Sequence, residues 1–127
     1  MTSPAYLLDS NVCVYLLEAA NEQLRRRISK QPSGSLVTSA IVYGEVGLGI
    51  DRHNASLVAG FNRLFEVVPI LPFDDQAART YWSLPFRRGK FDQLIAAHAL
   101  SLGVVLVSAN MGDFKAIDGL KTEDWTR

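Results

Sequence analysis

The chain has 127 residues, a length that suits one domain of ordinary size and is too short for two. Lysine plus arginine total 13 and aspartate plus glutamate total 13, so the net charge is zero and bulk basicity gives no affinity for nucleic acid. Because 48% of the residues are hydrophobic, the chain can bury a substantial core, which excludes an intrinsically disordered protein.

The single cysteine excludes an intramolecular disulfide and fits a reducing compartment. The first ten residues lack the charged and apolar regions of a signal peptide. No apolar run approaches the ~18 residues that span a bilayer. We therefore expect a cytoplasmic protein that makes no membrane contact.

Short apolar runs alternate with amphipathic segments along the whole chain. The runs predict strands at 5–8, 35–38, 67–71 and 104–107, with a further edge strand within 120–125. The amphipathic segments predict helices at 11–20, 21–30, 40–50, 55–65, 75–84 and 92–102, with a short turn or helix at 110–114. Ser39 and Asp74 are suited to cap the third and fifth helices, and Gly103 is suited to end the sixth.

This alternation is typical of an α/β fold, in which a mainly parallel sheet is covered by helices on both faces. We expect one domain over 1–127, because the chain contains no repeat, linker or low-complexity segment. In such folds the functional site lies beyond the carboxyl ends of the strands.

Four acidic residues follow or approach that edge: Asp9, Glu45, Asp92 and Asp113. Asp9 ends the first strand, Glu45 lies two turns into the third helix, Asp92 opens the sixth, and Asp113 follows the fourth strand. Each is next to strongly apolar sequence, where several carboxylates together would repel one another. A hard cation removes that penalty, and Mg²⁺ prefers oxygen ligands. Two such ions can hold a phosphodiester, activate a water and stabilise the leaving oxygen.

Each acid also has a purely structural interpretation. Asp9 could cap the first helix, and Asp92 could simply favour a helix start. Glu45 could be a solvated helix residue, and Asp113 a turn residue. The joint pattern is more specific than any one of its members.

Other reactive residues are better explained structurally. Asp74 and Asp75 are expected to start a helix. His98 lies among alanines and leucines and is expected to be packed or hydrogen-bonded, and His53 to lie in a loop. Cys13 is on an apolar helix and is expected in the core.

Five segments resemble PIN domains, and among them the VapC-type toxins: Leu-Leu-Asp-Ser-Asn-Val at 7–12, Tyr-Gly-Glu-Val at 43–46, Asp-Gln-Leu-Ile-Ala-Ala-His-Ala-Leu at 92–100, Ser-Ala-Asn-Met-Gly-Asp-Phe at 108–114 and Glu-Asp-Trp at 123–125. The resemblance implies a three-layer α/β/α sandwich and cleavage of RNA, commonly tRNA or rRNA, with Mg²⁺ or Mn²⁺. It implies a homodimer silenced by a cognate antitoxin of the VapB type, which can also bind operator DNA. It assigns the four acids to the metal site and gives Ser10 and Asn110 supporting positions beside it.

Three hypotheses from different classes follow. The first is a metal-dependent endoribonuclease. The second is a phospho-accepting signalling domain, which is disfavoured because Leu7 and Leu8, rather than an acidic pair, precede Asp9. The third is a weakly active or inactive module that binds RNA or an antitoxin, a hypothesis that the short segment 85–91 keeps open. Within that segment Arg87, Arg88 and Lys90 are candidate phosphate contacts at the mouth of the site, or else a solvated turn.

Overall fold

A five-stranded parallel sheet organises the structure, a computed structural model that describes residues 3–85, 91–114 and 116–127, except for the side chain of Asp113. The strands within these ranges are β1 (Tyr6–Leu8), β2 (Leu36–Ser39), β3 (Ile70–Leu71), β4 (Val105–Val107) and β5 (Thr122–Glu123). Their order is β3-β2-β1-β4-β5, and all four pairings are parallel. In the centre of the sheet, Tyr6 lies opposite Leu36 on one side and Val105 on the other.

Helices make the connections between successive strands up to β4. They are α1 (Ser10–Glu18), α2 (Glu22–Ser29), α3 (Ala40–Leu48), α4 (Ala55–Val67), α5 (Asp75–Ser83) and α6 (Phe91–Leu102), with a 3₁₀ turn at Met111–Phe114. Asn21, Asn54 and Asp74 cap α2, α4 and α5 by accepting a hydrogen bond from a main-chain N–H three residues on. Among the described residues, no helix has the length and apolarity needed to cross a membrane.

Both faces of the sheet are covered. Successive strand residues point to opposite faces, yet Leu7 and Leu8 in β1 are both fully buried, as are Leu106 and Val107 in β4. All four residues of β2 are buried as well. The predicted three-layer α/β/α sandwich is therefore confirmed.

Every predicted helix and strand is present, and the ends differ by at most two residues except at the start of β3. The prediction that a strand begins at residue 67 is wrong, because α4 continues through Val67 and only Ile70–Leu71 pairs with β2. Pro69 explains the difference. The residue before a proline avoids helical geometry, so Val68 becomes extended and the helix ends there.

Candidate active site

The carboxyl end of β1 is locked into the centre of the sheet. The main-chain N–H of Asp9 donates to the carbonyl of Val107 at the end of β4, at 3.0 Å. On the other side, the Thr38 hydroxyl in β2 donates to the carbonyl of Leu8 at 2.8 Å. The backbone that carries Asp9 is thus held by both neighbouring strands.

The Asp9 carboxylate is oriented through both of its oxygens. Its Oδ1 accepts the main-chain N–H of Ser10 at 2.7 Å, and its Oδ2 accepts the Ser108 hydroxyl at 2.7 Å. The side chain is only 3% exposed. Asp9 is also the N-cap of α1, so its structural role exists beside any role in the site. Charge-assisted bonds of this length fix the direction of a carboxylate.

Ser108 is a site residue that the sequence did not single out. It is fully buried directly after β4, and its Oγ also accepts the main-chain N–H of Asn110 at 3.0 Å. One hydroxyl therefore links the carboxylate after β1 to the turn after β4. The available signal was a polar residue at the end of an apolar strand. The sequence does not show that this strand, β4, lies beside β1, so it did not connect Ser108 with Asp9.

Glu45 reaches the same place from α3. Ser39 ends β2 and caps α3 by accepting the Ile41 N–H at 3.1 Å, which sets the helix at the edge of the sheet. Glu45 is partly buried, and its carboxylate accepts the Ser10 hydroxyl. Ser10 thus supports both acids, through its N–H to Asp9 and its hydroxyl to Glu45.

One cleft of about 330 Å³ collects three of the four predicted acids. Asp9, Glu45 and Asp92 line it, and they come from the end of β1, from α3 and from the second position of α6. The other residues that line it are Ser10, Asn11, Val14, Val46 and Gly49. Three segments that are distant in sequence therefore contribute a carboxylate to one cavity.

The remaining predicted site residues have different outcomes. Asn110 is exposed, and its main chain contacts the site through Ser108. The Asp113 side chain lies outside what the structure describes, and so do Arg87, Arg88 and Lys90.

The donors in the cleft suit a hard divalent cation. Carboxylate and hydroxyl oxygens are the ligands that Mg²⁺ and Mn²⁺ prefer, and no lysine or arginine is among the described residues that line the cavity. In the part of the chain that the structure describes, no three acidic, histidine or cysteine side chains already form a group that could hold an ion. A metal site here would need side-chain adjustment around the cleft, a contribution from Asp113, or both.

Cys13 and His98 have structural roles, as predicted. Cys13 is fully buried in the core, where burial raises the pKa of its thiol and the Asp9 charge adds to this effect. His98 is buried, its Nδ1 lies 2.8 Å from the Ser39 hydroxyl, and its ring packs edge-on against Phe73. Burial lowers the pKa of His98, against the opposing pull of the Asp74 charge.

These observations define a parallel α/β domain with an acidic cleft at the carboxyl edge of its sheet. Residues 6–120 match the family model of the PIN domain. The chain is 33% identical to the tRNA(fMet)-specific endonuclease VapC of Salmonella typhimurium, over 94% of this chain and 97% of that protein. It is 32% identical to ribonuclease VapC1 of Haemophilus influenzae strain R2866, over 96% and 98% of the two chains.

A solved structure shows the same likeness. DNA-bound VapBC from Salmonella typhimurium contains a chain that superposes with a TM-score of 0.85 at 28% identity, covering 96% of this chain and 98% of that one. The chain belongs to the PIN-domain family, and within it to the VapC-type toxins.

Proposed function

We propose that this chain is a ribonuclease toxin, a Mg²⁺-dependent endoribonuclease formed by one PIN domain over residues 1–127. The observation that carries the proposal is the single cleft lined by Asp9, Glu45 and Asp92. Asp113 is the fourth acid proposed for this site, and Mn²⁺ is an alternative ion.

The residues of the chain prepare the cleft for a cation and a phosphodiester. Ser108 and the Ser10 N–H hold the Asp9 carboxylate in one orientation, and the Ser10 hydroxyl holds Glu45. Asp9, Glu45, Asp92 and Asp113 would be the ligands. When bound, Mg²⁺ supplies the positive charge that offsets these carboxylates, polarises the phosphate and activates a water. His98 takes no part, because it is buried against Ser39 and Phe73.

The proposed substrate is tRNA or rRNA. The Salmonella relative is named as specific for tRNA(fMet), which supports tRNA as the first RNA to test. Arg87, Arg88 and Lys90 are proposed phosphate contacts, because a neutral chain with an acidic cleft needs local positive charge to hold RNA. Each contact with a single strand should contribute a slope of about −0.7 in log K against log salt concentration.

The proposed partner is a VapB-type antitoxin that binds operator DNA, and the toxin itself is proposed to be a homodimer. A neighbouring structure is a VapBC complex bound to DNA, which supports the antitoxin and the operator DNA as partners. The proposal places the protein in the cytoplasm.

The test is cleavage of purified tRNA and rRNA by the purified protein, with Mg²⁺, with Mn²⁺ and with EDTA, followed by mapping of the RNA ends. We expect discrete cuts that require the metal and that disappear in Asp9→Asn. Asp124→Asn is the matched control, since Asp124 follows β5 at the same edge but lines a different cavity. Binding of RNA without metal-dependent cleavage would instead favour the inactive binding module.

A further inference from the structure

Two large aromatic side chains are exposed at one end of the α5–α6 hairpin. Trp82, in the last turn of α5, is 75% exposed, and Phe91, the first residue of α6, is 51% exposed. Scattered exposed hydrophobic residues are common on proteins and by themselves indicate nothing. The position of this pair relative to the acidic cleft is what distinguishes it.

The packing of the two helices places Trp82 level with Phe91. Phe73, just before α5, packs against His98 of α6 with ring centroids 5.5 Å apart. From Asp74 to Trp82 is eight residues, and from His98 back to Phe91 is seven. At about 1.5 Å per residue these paths are about 12 and 10 Å long. Since α5 and α6 form an antiparallel pair, both aromatics lie at the amino end of α6.

That end of α6 borders the cleft. Asp92, which lines the acidic cavity, is the next residue after Phe91. Trp82 points away from the core, because it lies about 140° around the helix from Ala77, which is fully buried. Both aromatics therefore lie at the end of the hairpin that contributes Asp92 to the cleft, and both are open to solvent.

Charge on the same face of α5 favours a polyanion over an apolar partner. Arg79 lies one turn before Trp82 and forms an exposed ion pair with Asp75, at 3.3 Å. Exposed pairs of this kind contribute little, so Arg79 can exchange its carboxylate for a phosphate at small cost. An aromatic ring with a cation one turn away is the combination that holds unpaired nucleotides, through base stacking and phosphate contact.

We propose that Trp82, with Phe91 beside it, is a stacking platform for an unpaired base of the RNA next to the site of cleavage. The proposal rests on the proposed ribonuclease function and adds to it a residue that selects single-stranded RNA. Trp82 is a substrate-binding residue in this account and takes no part in the chemical step.

The test uses the Asp9→Asn protein, so that RNA stays intact and the result does not depend on catalysis. A labelled eight-nucleotide single-stranded RNA is titrated by fluorescence anisotropy. Trp82→Ala should weaken its binding by between about 5-fold and 150-fold, the range for loss of one stacked base. Trp82→Phe should stay within a few-fold of the parent protein. Leu102→Ala is the matched control, an exposed hydrophobic residue at the opposite end of α6 that should have no effect.

Tryptophan fluorescence gives an independent readout. The chain has two tryptophans, and Trp125 is only 1% exposed, so quenching by RNA reports on Trp82. RNA should quench this emission in the parent protein and leave it unchanged in Trp82→Phe. The proposal is overturned if Trp82→Ala binds the RNA normally. It is also overturned if acrylamide cannot reach Trp82 in the RNA-free protein, since Trp82 would then be covered by a second copy of the chain.

Discussion

The carboxyl ends of the strands, which form the carboxyl edge of the sheet, and their amino ends, which form the amino edge, are held by different kinds of contact. At the carboxyl edge, polar side chains add contacts to the main-chain bonds: Asp9, Ser39 and Ser108 follow or end strands, and their side chains hydrogen-bond to other elements. At the amino edge, main-chain bonds connect the strands, as from Ala5 N–H to the Ser35 carbonyl and from Val105 N–H to the Ala5 carbonyl. Among the residues that the structure describes, the glycines with positive φ are Gly34, Gly103 and Gly119, and each of them precedes a strand at this second edge.

This difference separates stability from activity. The amino edge returns the chain from a helix or turn into the next strand, and it needs residues that tolerate unusual backbone angles. The carboxyl edge leads from strands into helices or turns, and its polar side chains serve both as caps and as a site. Substitutions of the polar side chains in the acidic cleft should therefore reduce activity at near-normal stability. Substitutions at the amino edge should reduce stability at near-normal activity.

The largest effect is expected for Asp9→Asn. Asparagine keeps the shape and can still accept the Ser10 N–H, but it removes one charge from the cleft. We expect RNA cleavage to fall by at least about 100-fold, since a cation site supplies several kcal/mol to the reaction. The free energy of unfolding without metal should be unchanged or higher, because carboxylates that repel one another have been reduced in number. Cleavage rates and urea unfolding measure the two quantities, and a large loss of stability would break the distinction between the edges.

Ser108→Ala should have the next largest effect. It removes the hydrogen bond that orients Asp9 Oδ2, and loss of a group that orients a metal ligand typically reduces activity or metal affinity by about 10- to 100-fold. The measurement is the rate of RNA cleavage as a function of Mg²⁺ concentration. Ser101→Ala is the control, because that hydroxyl donates to the His98 carbonyl within its own helix, away from Asp9. If both variants cleave RNA at the same rate at every Mg²⁺ concentration, Ser108 does not orient a metal ligand.

Gly103→Ala tests the opposite edge. Gly103 has a φ of 69°, and a Cβ there would meet no atom within 4 Å, so the penalty is conformational rather than steric crowding. We expect a loss of about 1–2 kcal/mol in the free energy of unfolding, with cleavage per folded molecule unchanged. Gly44→Ala, within α3 and also uncrowded, should instead stabilise by about 0.5–1 kcal/mol. Destabilisation of the same size in both variants would contradict this explanation.

The smallest expected effect is a pH dependence of stability that comes from His98. The pKa of His98 is lowered in the folded state by burial, with Asp74 opposing, so the unfolded chain binds this proton more readily. Stability from this group is complete above the unfolded value near 6.5 and is lost as the pH falls from there toward the lowered pKa. The loss cannot exceed about 1.4 kcal/mol per pH unit. Thermal unfolding between pH 7 and pH 5 should show a weaker pH dependence in His98→Gln than in His53→Gln, whose histidine is exposed. If thermal unfolding of both variants depends equally on pH, His98 is not the group that causes the pH dependence of stability.

Much of the fold could be predicted because its signals are local. Apolar runs ending in polar residues located β1 and β4, and capping residues located the starts of α3 and α5. The position of Asp9 at a strand end was sufficient to place it at the functional edge. The late start of β3 could not be read as easily, because the apolar residue Val67 fits a helix end as well as a strand.

The contacts that complete the site are not local, and this is why the sequence did not give them. The Ser108–Asp9 bond joins residues 99 positions apart, and the Ser10–Glu45 bond joins residues 35 apart. Each depends on which strands are neighbours, and periodicity carries no such information. The exposure of Trp82 could not be predicted from the sequence for the same reason, since it depends on how α5 packs against α6.

Binding of Mn²⁺, followed by the electron paramagnetic resonance signal of the free ion, tests the central claim that four acids form one metal site. The wild-type protein and the variants Asp9→Asn, Glu45→Gln, Asp92→Asn and Asp113→Asn are titrated under the same conditions. We expect the wild-type protein to bind Mn²⁺ and each variant to bind it at least about tenfold more weakly, while Asp124→Asn binds it normally. If Asp9→Asn and Asp92→Asn bind Mn²⁺ as tightly as the wild-type protein does, the acidic cleft is not the metal site.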